Sequence, residues 1–275
     1  MEFKQRATPY HPRDGAHGVS IPHVVAHRGF AENYPENTLI ALVQALKCGV
    51  SYIEFDVQLT ADGKPVVFHD PSLDRTTDVD KNILDITYAE AKTYQACETK
   101  RFGQEFVNMG IAIPALADIV YTLKSWPQAT AFVEIKEESL KKHGIERTIK
   151  TVMQTVQPAA AQCVIISYNA LAIRCARAMG AQRIGWVLHE WSNASRSLAT
   201  ELAPDFLFCN YKKIAWATQS LWPGPWQWAM YEVLTPELAL ELHAHGVALI
   251  ESMDVGRMMS HPLLRQGGLF DGHLV

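Results

Sequence analysis

The chain has 275 residues, with 48% hydrophobic and 20% charged side chains and a formal net charge of −4. That is the composition of an ordinary globular enzyme, long enough for one large α/β domain or two small ones, and it offers no basic field for nucleic acid. Cys48, Cys97, Cys163, Cys175 and Cys209 are scattered, odd in number and without C-x-x-C spacing, so neither a disulfide framework nor a zinc site is indicated.

Residues 1–20 are polar, contain Pro, Gly and His, and have no apolar core of signal-peptide length. They read as a lead-in to a single domain over 21–275. With no run of about 18 apolar residues anywhere, a soluble, cytoplasmic protein without membrane insertion is expected. Three apolar runs then end in ionisable side chains. Val24-Val25-Ala26 leads into His27-Arg28-Gly29, residues 52–57 carry Glu54 and Asp56, and Val66-Val67-Phe68 leads into His69-Asp70. Short β-branched runs of this kind are buried strands opening into a site. Between the first two, Leu39, Leu42, Val43 and Leu46 share one helical face, with Asn37 in the N-cap place and Gly49 after the end. Strand, helix and strand make a parallel βαβ unit. Alternation puts Ile53, Phe55 and Val57 on one strand face and Glu54, Asp56 and Gln58 on the other, the two carboxylates about 7 Å apart at the backbone. From there both can reach one hard cation. The plainer alternative, two exposed carboxylates on a half-solvated strand, fits the apolar flanks poorly.

H-R-G at 27–29, P-E-N-T at 35–38, E-x-D at 54–56, D-G-x-P-V-V-x-H-D at 62–70 and L-x-R-T-T at 73–77 stand in one register. Together they resemble the glycerophosphodiester phosphodiesterase family. The resemblance is tight over 24–77, good over 113–136, and architectural only over 137–251.

Residues 71–113 are long for a bare connection, which points to function or a subdomain. A helix is predicted over 85–96, with Thr87 as an alternative cap; by resemblance the segment is a cap insertion over the site. Residues 113–118 (I-P-A-L-A-D) open a helix to about Lys124. Residues 131–136 form a strand with Glu134 and Lys136 on one face, either an edge ion pair or, as the apolar context favours, an inward pair. A single helix is predicted over 138–156, stopped by Pro158. Strands at 164–168, 183–188 and 205–210 alternate with helices at 169–179 and 193–202. Trp216, Trp222, Trp226 and Trp228 follow, either a carbohydrate or lipid platform or, more commonly, loop anchors. A strand over 228–233, a helix over 236–245 and a strand over 247–251 complete the chain.

Nine strand candidates alternating with helices predict a (β/α)₈ TIM barrel with a small insertion after the third strand and one short strand outside the count. A doubly wound sheet is the alternative, but no Gly-rich phosphate loop follows any strand. On the barrel reading, ionisable residues at strand C-terminal ends mark the site.

The resemblance implies hydrolysis of glycerophosphodiesters to sn-glycerol 3-phosphate and an alcohol. Glu54, Asp56 and Glu134 would hold one divalent cation, and their all-oxygen set suits Mg²⁺ or Ca²⁺. Arg28 and Lys136 would clamp the phosphate, with His27 and His69, expected at the ends of consecutive parallel-type strands, as the acid–base pair. The substrate's own 2-hydroxyl would attack phosphorus, and water would open the cyclic phosphate. Glu36 and Asn37 match family site residues, yet both also suit a helix N-terminus; Glu36 is expected to support the site from behind. The expected partner is a small glycerophosphodiester. Two other readings remain: lysophospholipase D-like action on a lysophospholipid headgroup, for which only the Trp-rich segment could edge a groove, and a catalytically silent binder of phosphorylated metabolites.

Overall fold

The structure is a computed structural model that describes residues 21–265. Its strands are β1 (His23–Ala26), β2 (Tyr52–Leu59), β3 (Pro65–Val67), β4 (Thr130–Ile135), β5 (Cys163–Ser167), β6 (Ile184–Val187), β7 (Phe206–Asn210), β8 (Gln227–Tyr231) and β9 (Leu249–Ser252). They run in the order β1-β9-β8-β7-β6-β5-β4-β2-β3, and β1 also pairs with β2. That last pairing closes eight parallel strands into a (β/α)₈ barrel.

β3 stays outside the ring and pairs antiparallel with β2. This corrects the expectation that the strand leading to His69 is of the parallel kind. Only residues 60–64 join β2 to β3, whereas a parallel crossover needs a dozen or more. The hairpin turn is held by Thr60 and takes Gly63 at φ 77°.

Period-2 alternation divides the barrel lumen into a dry floor and a polar mouth. Val25, Phe132, Val164, Phe206, Phe208, Ala229 and Leu249 form an interior apolar cluster, with Phe132 set edge-on to both Phe206 and Phe208. Two residues further along the same strand faces come His27 after Val25, Glu134 after Phe132, Asn210 after Phe208, Tyr231 after Ala229 and Glu251 after Leu249. The opposite strand faces, with Ile53, Phe55, Val57, Val133 and Ile135, meet the helices in a larger core.

Several helices differ from the pattern-based expectation. The one over 138–156 is two, Glu137–His143 and Ile145–Val156, broken where Gly144 takes φ 82°. Helix Leu39–Lys47 is capped by Thr38, whose side chain accepts from the Ala41 N–H, and not by Asn37. Asn37 sits at φ 56° with its side chain turned to the barrel mouth. In the segment 71–113 the helix expected over 85–96 is a single turn, Tyr88–Ala91, capped by Thr87. It stops because the chain beyond it pairs across the segment instead: the Ala96 N–H donates to Ile111 O at 2.8 Å. Leu73, Ile83, Leu84, Ile86, Ala91, Ala96 and Ile113 give this segment a small core of its own, continuous with Val66 and Phe68 of the hairpin. Trp222, Trp226 and Trp228 are buried, and Trp222 stacks on Trp191 at 3.9 Å between centroids. They anchor the loop; they do not form an open platform. The lead-in over 1–20 and the last ten residues of the expected domain lie outside the described residues.

The turn after β1 is tight for a definite reason. Gly29 takes φ 84°, and a Cβ there would lie 2.6 Å from the Ala41 carbonyl carbon, while the Phe30 N–H donates to Ala41 O at 2.9 Å. Gly29→Ala therefore combines left-handed strain with overpacking, and a loss of about 2–4 kcal/mol is expected in urea unfolding. A loss below about 0.5 kcal/mol would show that the turn relaxes freely.

Candidate functional site

The mouth is built around β2. Glu54 and Asp56 are each 2% exposed, and each has one imidazole beside it. His27 Nε2 lies 4.0 Å from Glu54 Oε2, and His69 Nε2 lies 4.0 Å from Asp56 Oδ1. Glu134 comes from β4, whose register sets it beside Asp56. Lys136, just past that strand, reaches Glu134 Oε1 at 2.8 Å and Asp56 Oδ1 at 3.3 Å. The pair faces inward.

Two left-handed residues aim the remaining polar groups. Arg28, at φ 56°, donates its backbone N–H to Glu54 Oε2 at 3.0 Å and sets Nε 3.3 Å from Asp56 Oδ2. Asn37 donates Nδ2 to Asp56 Oδ2 at 2.9 Å and accepts the Asp56 N–H on Oδ1 at 3.1 Å. The Asn37 N–H donates in turn to Arg28 O at 3.0 Å. Such conformations cost an ordinary residue about 1–2 kcal/mol and persist where the surroundings impose them.

Glu36 backs Arg28. Its carboxylate accepts from Arg28 Nη1 at 2.9 Å and from both terminal nitrogens of Arg75, at 2.9 and 2.6 Å. Arg75 also donates Nε to Asp70 Oδ2 at 2.6 Å, and the other Asp70 oxygen lies 2.6 Å from His69 Nδ1. His69 is thus oriented by a carboxylate, with Nε2 left facing the mouth. Glu98 Oε1 accepts the Glu36 N–H at 2.5 Å, tying the 71–113 segment to the same network.

Charge at the mouth is unevenly compensated. Burial works to raise the Asp56 carboxyl, but Lys136 and Arg28 outweigh it and hold Asp56 well below the usual carboxylate range. Burial likewise works to raise Glu36, and Arg75 and Arg28 again prevail. For Glu54 the help from Arg28 is too small: burial, then Asp56 and Glu251, push it well above its ordinary value. Glu251 is raised in the same way by burial, Glu134 and Asp56. His27 is pushed down to about 3, first by burial and then by Arg28. Across the mouth the hydroxyls of Tyr168 and Tyr231 meet at 3.0 Å.

Glu54, Asp56 and Glu134 each offer an oxygen within 4.8 Å of the others, a possible metal-binding cluster. Glu54 Oε1 is buried and accepts no hydrogen bond. An orphaned carboxylate oxygen among like charges fits a divalent cation, and the oxygen-only donor set fits a hard one.

All nine residues singled out from the sequence therefore come together in one place. Others do so without having been singled out, among them Arg75, Glu251 and Glu98. Arg75 lies inside the L-x-R-T-T motif, so its signal was present, but no role followed from it. Glu251 carries the mark that identified Glu54, a carboxylate near the C-terminal end of an apolar strand. Glu98 carries no local signal, since only tertiary folding brings it to Glu36.

Fold and site define a (β/α)₈ protein whose mouth carries a possible divalent-ion cluster beside two imidazoles, an arginine and a lysine. Residues 27–247 match the model of the glycerophosphoryl diester phosphodiesterase family, and the chain belongs to that family. Members of this family are metal-dependent in general. A glycerophosphodiester phosphodiesterase of Bacillus altitudinis is 37% identical over 134 residues, covering 49% of this chain and 53% of that protein. One from Caldanaerobacter subterraneus subsp. tengcongensis is 35% identical over 188 residues, covering 66% and 74%. The aligned chain thus spans about half the length of the first of these relatives and about three quarters of the second. A phosphodiesterase of Oleispira antarctica, solved with its product sn-glycerol-3-phosphate, superposes with a TM-score of 0.74 at 26% identity over 87% of this chain and 96% of that one. For a Parabacteroides distasonis glycerophosphodiester phosphodiesterase the TM-score is 0.70 at 23% identity, over 85% and 93%, a likeness of fold.

Asn37→Ala removes two buried hydrogen bonds to Asp56 and leaves alanine at φ 56°. A stability loss of about 2–4 kcal/mol is expected by urea unfolding. An unchanged midpoint would mean that Asn37 does not fix the end of β2.

Proposed function

We propose that this chain hydrolyses glycerophosphodiesters to sn-glycerol 3-phosphate and an alcohol. The observation that carries the reading is the convergence of His27 and His69 on the Glu54–Asp56 pair, with Glu134, Arg28 and Lys136 closing the same mouth. A phosphodiester resists attack because its oxygens repel the nucleophile, so hydrolysis needs neutralising charge, a base and an acid. Glu54, Asp56 and Glu134 would hold one divalent ion, Mg²⁺ or Ca²⁺, which supplies Lewis-acid neutralisation of the ester oxygens.

The chain's own groups do the rest. Arg28 presents a forked guanidinium to the phosphate and Lys136 a point charge, each steadied by the carboxylates it already touches. His27 and His69 move protons on opposite sides of the reacting phosphorus. One takes the proton of the attacking substrate hydroxyl and the other delivers one to the leaving oxygen, and the roles reverse as water opens the cyclic phosphate. His69 is suited to exchange a proton at Nε2 because Asp70 holds Nδ1 and turns Nε2 to the mouth. Glu36 holds Arg28 in place from behind, and Asn37 holds Asp56. The segment 71–113, through Arg75 and Glu98, forms one wall of the mouth and caps it.

The site is proposed to act on small substrates in the cytoplasm. Among the described residues no helix is long and apolar enough to cross a membrane. The lysophospholipid reading loses support, because Trp222, Trp226 and Trp228 of the segment that would edge a groove are buried and Trp216 is half-buried. Against a silent binder stands the pairing of two imidazoles with a full carboxylate triad, which binding alone does not require.

Release of glycerol 3-phosphate from glycerophosphocholine is expected with Mg²⁺ or Ca²⁺ and not with EDTA. Glu54→Ala should lose metal binding in calorimetric titration. His69→Ala should keep it and lose turnover on the order of 10²–10⁴-fold. Undiminished metal binding by Glu54→Ala would overturn the ligand assignment, and metal-independent release would overturn the mechanism.

A further inference from the structure

The geometry points to a second cation site, formed by His27, Glu54 and Glu251, that takes a borderline transition ion such as Zn²⁺ and, when filled, withdraws the His27 lone pair from proton transfer. The inhibitory half of this inference rests on the phosphodiesterase reading; the binding half does not.

β1 lies between β2 and β9 in the ring, so His27 is flanked by Glu54 on one neighbouring strand and Glu251 on the other. One ligand atom from each of the three lies within 4.8 Å of the other two. Glu251 is 4% exposed and Glu54 2%. Each has a buried Oε1 that accepts no hydrogen bond. Two buried carboxylate oxygens without a hydrogen bond, on residues whose ligand atoms come this close, cost free energy unless a donor or a cation joins them.

The donor set distinguishes this corner from the triad beside it. Glu54, Asp56 and Glu134 offer oxygen alone and suit a hard ion. Replacing two of them by an imidazole and a different carboxylate suits Zn²⁺ and its neighbours, which bind nitrogen and oxygen with three protein ligands and one open position. Glu54 belongs to both sets and, with two oxygens, can bridge them.

Charge balance leaves room for the second ion. Glu36, Glu54, Asp56, Asp70, Glu134 and Glu251 face only Arg28, Arg75 and Lys136 in this constellation. One divalent ion in the triad leaves the group net negative, and a second makes it net positive.

The test uses the whole chain in saturating Mg²⁺. Zn²⁺ is titrated by calorimetry into wild type and Glu251→Gln, and wild-type crystals soaked in both ions are measured at the zinc edge. The expected result is one Zn²⁺ per wild-type chain, an anomalous peak among His27, Glu54 and Glu251, loss of glycerol 3-phosphate release as that ion binds, and at least tenfold weaker Zn²⁺ binding by Glu251→Gln. Equal affinity in the two proteins, or a zinc peak confined to Asp56 and Glu134, overturns the site. The diffraction arm needs no variant, so a failure of Glu251→Gln to fold leaves the site exposed to refutation. Zn²⁺ seated at His27 with turnover intact overturns the inhibitory role. Zn²⁺ bound as expected by a chain that hydrolyses no glycerophosphodiester with Mg²⁺ would instead sink the phosphodiesterase reading and leave the site standing.

Discussion

Holding Glu54, Asp56 and Glu251 out of water within one barrel mouth, with Glu134 at their edge, is the constraint to which the surrounding structure answers. A desolvated carboxylate must be paired, hydrogen-bonded or protonated. Asp56 receives nearly all the help: a guanidinium, an ammonium and an Asn amide all reach it. Delivering that help fixes the backbone nearby. Arg28 and Asn37 adopt left-handed conformations to face Asp56, and Gly29 lets the turn between them press against Ala41. Glu54 and Glu251 are served last, and each keeps one buried oxygen that accepts no hydrogen bond.

The same constraint explains the reach of the network beyond the barrel. Glu36 keeps Arg28 in position only while its own charge is compensated, and Arg75 provides that compensation from the segment 71–113. Asp70 and His69 are bound to the same guanidinium. A chain of alternating charges therefore runs from β2 through Arg28, Glu36, Arg75 and Asp70 to the His69 imidazole.

Much of this was legible in the residues because strands advertise themselves twice, by their apolar alternation and by charge at their ends. Ile53, Phe55 and Val57 opposite Glu54 and Asp56 gave both faces of β2 correctly, and the alternation of strands with helices gave the barrel. Local pattern failed where a competing interaction settled the matter. Asn37 looks like a cap, but Asp56 claims its amide and Thr38 caps instead. The helical pattern over 138–156 hides a break that a single positive φ at Gly144 makes. Residues 85–96 have helical composition, but Ala96 is taken by a contact with Ile111 that no local window contains. Glu251 passed unnoticed because one carboxylate on one strand has no meaning until the ring closes and brings β9 beside β1.

The antiparallel placement of β3 has a consequence for how the molecule fails under stress. His27 follows a strand woven into the closed ring, whereas His69 follows a three-residue strand that pairs with β2 on one side and has only an isolated bridge, Val66 to Ala115, on the other. Behind it lies a segment with its own small core and isolated bridges. Opening of that peripheral unit requires no rupture of the ring, so it belongs to the low-energy end of the native-state fluctuations. Heat or denaturant would then carry one imidazole away from the other while the barrel still gave the spectrum of a folded protein. Function and fold in this chain have separate breaking points.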